Sequence, residues 1–266
     1  MKNRINTLFE TKKQNILSLY FTAGYPNLDD TLTILKGLEE SDVDLIEIGI
    51  PYSDPLADGP VIQESGGQAI QNGMTLKLLF EQLESIRTFT QKPIILMGYL
   101  NVVLQFGESL FIEKCAQVGI DGIILPDMPL HYFQTNFMEL CEKNNVSNIL
   151  LVTPETSNER IQEIDRNSSG FIYLVSSNSI TGSTNAMTFQ TDYYKRIQDM
   201  KLNNSHLIGF GVHDKNSFET VCQYSSGAII GTAFIKYLKE KGTTTASIKN
   251  FVKQFNPWVL TATIYL

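Results

Sequence analysis

Eight short runs rich in aliphatic and β-branched residues recur along the chain, with helix-like segments between them. That alternation constrains the fold more than any single motif. The runs cover Ile16–Thr22, Leu45–Gly49, Pro93–Gly98, Gly122–Leu125, Asn148–Val152, Phe171–Ser176, His206–Gly209 and Gly227–Ile230. Between them, Leu76, Leu79, Phe80, Leu83 and Ile86 make a stripe of helical period, and Phe133, Phe137, Leu140 and Cys141 make another. Asn27 and Asp29 signal the start of a helix covering Leu32–Leu38. Strands alternating with helices predict a parallel sheet. Eight of them in 266 residues predict an α/β fold, a (β/α)8 TIM barrel occupying 1–266 as one domain. A doubly wound open sheet is the second choice. In barrels of this kind the chemistry sits on loops after the C-terminal strand ends, here after Thr22, Gly49, Ser176, Gly209 and Ile230.

Composition removes several function classes. A hydrophobic share of 42% supports a large core. The net charge of −7 comes with no basic run, which argues against nucleic acid as a partner. No stretch is long and apolar enough to span a membrane, and the N-terminal MKNRINTLFETKKQ lacks a signal-peptide core. The three widely spaced cysteines, Cys115, Cys141 and Cys222, fit reduced thiols in a cytoplasmic setting. Neither they nor His131, His206 and His213 have metal-ligand spacing, so no metal is expected. Ser53 lacks the context of a hydrolase nucleophile. Lys36, Lys77 and Lys92 lie outside the strand ends, which argues against a Schiff-base aldolase.

The segment LIEIGIPYSDPLADGPVIQ, Leu45–Gln63, carries the sharpest chemical signal. Its strand is apolar on both faces except at Glu47, so that carboxyl is expected to be buried with a raised pKa. Asp58 follows in a loop stiffened by Pro51, Pro55 and Pro60, and is expected nearer solvent and ionised. Two carboxylates in unlike surroundings can divide acid and base roles. The alternative is structural: Glu47 accepts a buried hydrogen bond and Asp58 caps the helix opening near Pro60. Tyr173 and Phe21 suit either core packing or a ring-shaped ligand.

The last third points to an anion. Thr181 and Gly182 follow the sixth strand, Gly209-Phe210-Gly211 ends the seventh, and Gly231-Thr232 ends the eighth before a helical stretch. Barrels often bind phosphate with the loops after strands seven and eight and a helix N-terminus, where backbone N–H groups face the ligand. A phosphorylated small metabolite is the favoured ligand class.

With these segments in view, the chain closely resembles the tryptophan synthase alpha family. Besides Leu45–Gln63, the resemblance rests on FTAGYP (Phe21–Pro26), PDMP (Pro126–Pro129), YLVS (Tyr173–Ser176), ITG (Ile180–Gly182), GFG (Gly209–Gly211) and GTAFIK (Gly231–Lys236), in order along nearly the whole chain. It implies a lyase that cleaves indole-3-glycerol phosphate to indole and glyceraldehyde 3-phosphate. It makes Glu47 the acid–base at indole C3 and Asp58 the carboxylate at the indole N–H. It places Phe21, Tyr173, Thr181 and Phe210 around the substrate, and Gly182, Gly211, Gly231 and Thr232 around the phosphate. It implies no cofactor in this chain, and a PLP-dependent beta subunit as partner in an alpha-beta-beta-alpha heterotetramer. Ser179, Thr232, Gln68, Leu130-His131 and the ending NPWVLTATIYL depart from the family pattern. A stand-alone indole-releasing lyase, another phosphate-binding barrel enzyme and a regulatory subunit with weak catalysis are the competing functions.

Overall fold

The apolar runs fold as strands: β1 (Ile16–Thr22), β2 (Leu45–Gly49), β3 (Ile94–Met97), β4 (Gly122–Ile124), β5 (Ser147–Asn148), β6 (Leu150–Val152), β7 (Ile172–Val175), β8 (His206–Gly209) and β9 (Gly227–Ile230). They are taken from a computed structural model that describes residues 3–176, 184–209 and 211–255. Thr181, Gly182, Phe210, Ser179 and the tail after Phe255 lie outside the described residues.

The sheet order is β5-β4-β3-β2-β1-β9-β8-β7-β6, and every pairing is parallel. Its two ends, β5 and β6, are separated along the chain only by Ile149, so the sheet closes into the barrel. One strand was expected over Asn148–Val152, and two half-strands stand there. β5 pairs with β4 and β6 with β7, while the Ile149 N–H donates to the Ile123 carbonyl at 3.0 Å. The stave hands over from one neighbour to the other at Ile149, and the nine strands make eight staves.

β1 and β2 are buried along their whole length, because one face fills the barrel and the other meets the helices. Inside, Ile16, Leu45, Ile95, Ile124, Ile149, Phe171, Leu207 and Ile229 form an apolar cluster. A helix the strand–helix rhythm did not announce, Arg4–Thr11, closes this cluster at the N-terminal strand ends with Ile5 and Phe9. The Phe9 and Phe171 rings lie 5.6 Å apart. Asn3 caps that helix by accepting from the Ile5 N–H, and its amide donates to the Asp121 and Asn145 carbonyls. Around the barrel, Leu17, Leu19 and Phe21 of β1 join the larger cluster shared with the helices.

The helix expected over Leu32–Leu38 runs Asp30–Glu39. The stripe from Leu76 forms a helix over Leu76–Leu83, capped by Thr75, followed by a single 3-10 turn at Ile86–Thr88. The Phe133 stripe sits on a helical stretch that passes through a π turn at Phe133–Phe137. Among the described residues no helix is long and apolar enough to cross a membrane.

Candidate active site

The C-terminal strand ends open into a cavity of about 390 Å³. Tyr20 of β1, Glu47 of β2, Met97 of β3, Tyr173 of β7 and Ile229 of β9 line its floor, and Asp58, Gly211, His213, Gly231, Thr232 and Lys236 reach it from the loops and helices above. Glu47 and Asp58, eleven positions apart, therefore face one space.

Glu47 is fully buried. The Ser18 hydroxyl donates to its Oε1 at 2.8 Å, and its Oε2 is buried without a hydrogen-bond partner among the described residues. Burial disfavours the charged form and outweighs the Ser18 hydrogen bond, so the pKa rises from an ordinary 4.5 to about 7. A carboxyl poised there can give and take a proton near neutrality.

Asp58 precedes the helix Pro60–Gln71 but does not cap it. The cap position is Gly59, with no side-chain cap bond, and proline opens the first turn. The Asp58 side chain is instead free to face the cavity, where the Tyr99 hydroxyl donates to its Oδ2 at 2.9 Å. Tyr99 is itself fixed by the Ala57 N–H, which donates to its oxygen at 3.0 Å, and by stacking on Tyr52 at 5.0 Å. Asp58 is less open than its loop position suggested. Burial raises its pKa, with the Tyr99 hydrogen bond opposing.

Two tyrosines shape the walls by the same device. A Cβ on Gly49 would lie 2.0 Å from the Tyr20 hydroxyl oxygen, and a Cβ on Gly209 would lie 2.0 Å from that of Tyr173. Glycine on the neighbouring strand is thus what lets each ring lie flat across it. Burial, aided by the fields of Glu47 and Asp58, pushes both phenol pKa values up and keeps them neutral.

On the same cavity rim, after β9, the helix Thr232–Lys241 begins at Gly231 and turns its first residues, Thr232 and Ala233, to the cavity. The N–H groups of a first helical turn lack intrahelical acceptors and carry the positive end of the dipole. Gly211 has φ +75°, the left-handed conformation that glycine adopts without strain. The turn after it is anchored by a capping box between Asp214 and Ser217.

The sequence matches the family model "Tryptophan synthase alpha chain" over residues 7–259. The chain belongs to the tryptophan synthase alpha chain family. It is 55% identical to the tryptophan synthase alpha chain of Flavobacterium psychrophilum, over 95% of this chain and 99% of that one. It is 48% identical to that of Parabacteroides distasonis, over 94% and 98%. Among solved structures, the tryptophan synthase complex of Pyrococcus furiosus matches with a TM-score of 0.82 and 32% identity, covering 92% of this chain and 98% of that one. Tryptophan synthase subunit alpha of Campylobacter jejuni matches with a TM-score of 0.82 and 29% identity, covering 94% and 98%.

Six of the residues expected at the tryptophan synthase alpha site share the cavity, and one is corrected. Glu47, Asp58, Tyr173, Gly211, Gly231 and Thr232 line it. Phe21, expected at the substrate, points the other way, into the cluster shared with the helices. Its neighbour Tyr20 takes the cavity position. The reason is strand parity: Ser18 reaches Glu47 across the barrel interior, so Tyr20 shares that face and Phe21 does not. Thr181, Gly182 and Phe210 lie outside the described residues. Ser18, Tyr20, Tyr99, Met97 and Lys236 were not singled out in the sequence. A polar residue at every second position of β1, Ser18, Tyr20 and Thr22, was the signal available for the first two. Among the described residues no three His, Cys, Asp or Glu side chains gather as a metal site.

Proposed function

We propose that this cavity performs the family's lyase reaction with Glu47 as the proton-transfer group and Asp58 as the stabilising carboxylate. The chain is a carbon–carbon lyase of tryptophan biosynthesis that cleaves indole-3-glycerol phosphate to indole and glyceraldehyde 3-phosphate. The observation that carries the site assignment is a fully buried carboxyl near neutrality facing the same cavity as a glycine-led helix N-terminus.

In this reading the indole ring lies at the carboxylate end, against Tyr20, Met97 and Tyr173. Protonated Glu47 gives its proton to indole C3. The ring becomes a cation whose N–H faces the Asp58 carboxylate, and that charge pairing makes the ring an electron sink. The bond from C3 to the glycerol carbon then breaks, and its electron pair returns to the ring. The glycerol hydroxyl loses its proton to the Glu47 carboxylate and becomes the aldehyde, and Glu47 ends protonated as it began. The substrate phosphate rests at the far end on backbone N–H groups near Gly211, Gly231 and Thr232, with the Thr232 hydroxyl as a further donor. Gly182 completes that end in the proposal, and Thr181 and Phe210 line the rest of the substrate.

The partner is a tryptophan synthase beta subunit. We place its docking face beside the Asp58 loop, where Leu56 is 96% exposed and Leu104 of the helix Leu100–Phe106 is 44% exposed. An alpha-beta-beta-alpha assembly with PLP in the beta subunit, and no cofactor in this chain, is the form proposed. A cytoplasmic setting is supported by three buried, unpaired cysteines.

The test mixes the purified chain with indole-3-glycerol phosphate, with and without a beta subunit, and follows indole. Indole release that rises with the beta subunit is the expected result. Full release without it would favour a stand-alone lyase, and beta-subunit activation without any indole release would favour a regulatory subunit.

A further inference from the structure

We infer that Ser18 is a positioning residue for Glu47: its hydroxyl engages Oε1 and so assigns Oε2 as the oxygen that presents the transferable proton to the substrate. The inference rests on the proton-transfer role of Glu47 proposed above.

The geometry is asymmetric in a way the reaction can use. Ser18 is completely buried on the inward face of β1, and it donates to Glu47 Oε1 at 2.8 Å. Oε2 is buried too and has no hydrogen-bond partner among the described residues. A buried polar atom without a partner is uncommon and calls for a functional reason. In a carboxylic acid, the oxygen that accepts a hydrogen bond takes carbonyl character and the proton sits on the other oxygen. Ser18 therefore fixes the proton on Oε2. The terminal torsion of a glutamate is broad and nearly two-fold, so without an anchor the two oxygens exchange places.

The position has a plain alternative that this chain does not use. Ile16 precedes Ser18 on the same inward face, and an aliphatic residue at 18 would continue that packing. A hydroxyl there instead supports the ionised form of Glu47 against the cost of burial. The carboxyl is thereby balanced between its two states, as a group that donates and then recovers one proton requires.

The other titratable groups facing Glu47 are few. Tyr20 shares the face of β1, Tyr173 faces it from β7 and Asp58 from the loop after β2, and His213 and Lys236 reach the same cavity from the loop after β8 and the helix after β9. β3 presents only Ile95 and Met97 on that side. Both phenols are held neutral, and the Ser18 hydroxyl bonds to Glu47 rather than to them or to Asp58.

The experiment is kcat and KM for indole release against pH, in the wild type, Ser18→Ala, Ser18→Thr and Glu47→Gln. Glu47 must start protonated, so kcat falls as pH rises through its pKa. Removing the Ser18 donor destabilises the charged carboxylate, which moves that fall to higher pH by about one unit. It also lowers kcat at the optimum by about tenfold, because the proton is no longer held on one oxygen. KM stays within about twofold, since binding is made elsewhere in the cavity. Ser18→Thr keeps the hydroxyl and restores the wild-type position of the fall. A Ser18→Ala profile that superimposes on the wild type, or equal changes in kcat and KM with no pH displacement, overturns the inference. If Ser18→Ala does not fold, Ser18→Cys supplies a weak donor of similar size and must show the same displacement. Full turnover in Glu47→Gln would overturn the Glu47 assignment itself, and is read separately from the behaviour of residue 18.

Discussion

Replacing Glu47 by Gln stabilises the folded protein at alkaline pH while leaving its stability in mild acid nearly unchanged. The carboxyl titrates at about 7 in the folded chain and near 4.5 when unfolded. Below the lower value both states hold the proton and the folded state carries no penalty. As pH rises, the unfolded chain ionises first, and the folded state loses stability until the buried carboxyl also ionises. At about 1.36 kcal/mol per pH unit, that gap is worth roughly 3 kcal/mol. The glutamine amide titrates in neither state, and its oxygen can still accept from Ser18. The assay is equilibrium urea unfolding, followed by far-UV circular dichroism, of both proteins at pH of about 5 and about 8.5. The variant should match the wild type within about 1 kcal/mol at the lower pH and exceed it by roughly 3 kcal/mol at the higher. A difference that is the same at both pH values would mean that Glu47 does not titrate as its burial requires.

Other substitutions separate the roles assigned to neighbouring residues. Tyr99→Phe removes the donor to Asp58, raises that carboxyl's pKa further and shifts the loss of activity on acidification to higher pH; a fall of about tenfold in kcat/KM is expected from steady-state kinetics. Tyr20→Ala should raise KM for indole-3-glycerol phosphate without unfolding the chain. Phe21→Ala should instead lower stability by about 3–5 kcal/mol in urea unfolding and leave the KM of the folded fraction unchanged. Asn3→Ala removes the cap of the helix Arg4–Thr11 and two further bonds to the barrel. It should cost about 1–2 kcal/mol in the same assay while kcat is retained.

The staves were legible in the sequence because each is a short apolar run between turn residues, and their spacing forces parallel pairing. The break at Ile149 was not, since a residue that passes its backbone bonds from one neighbouring strand to the other keeps the same apolar character. The helix Arg4–Thr11 was hidden by its composition: only Ile5 and Phe9 are buried on it, amid polar residues. At the site, Glu47 stood out because a carboxylate interrupts a strand that is otherwise apolar on both faces. Which of Tyr20 and Phe21 faces inward was marked only by the alternation of Ser18, Tyr20 and Thr22 along β1, a weak mark on a strand buried along its whole length. Asp58 was placed in the right loop but judged too exposed. What draws it inward is Tyr99, forty-one positions away, a contact only the folded chain creates.

The central claim is that one buried carboxyl both delivers and recovers the proton that splits indole-3-glycerol phosphate. The steady-state rate of indole release by Glu47→Gln, assayed beside the wild type in the presence of a beta subunit, addresses it most directly. A fall in kcat of about 10²–10⁴-fold with little change in KM is predicted. Turnover equal to that of the wild type would contradict the claim.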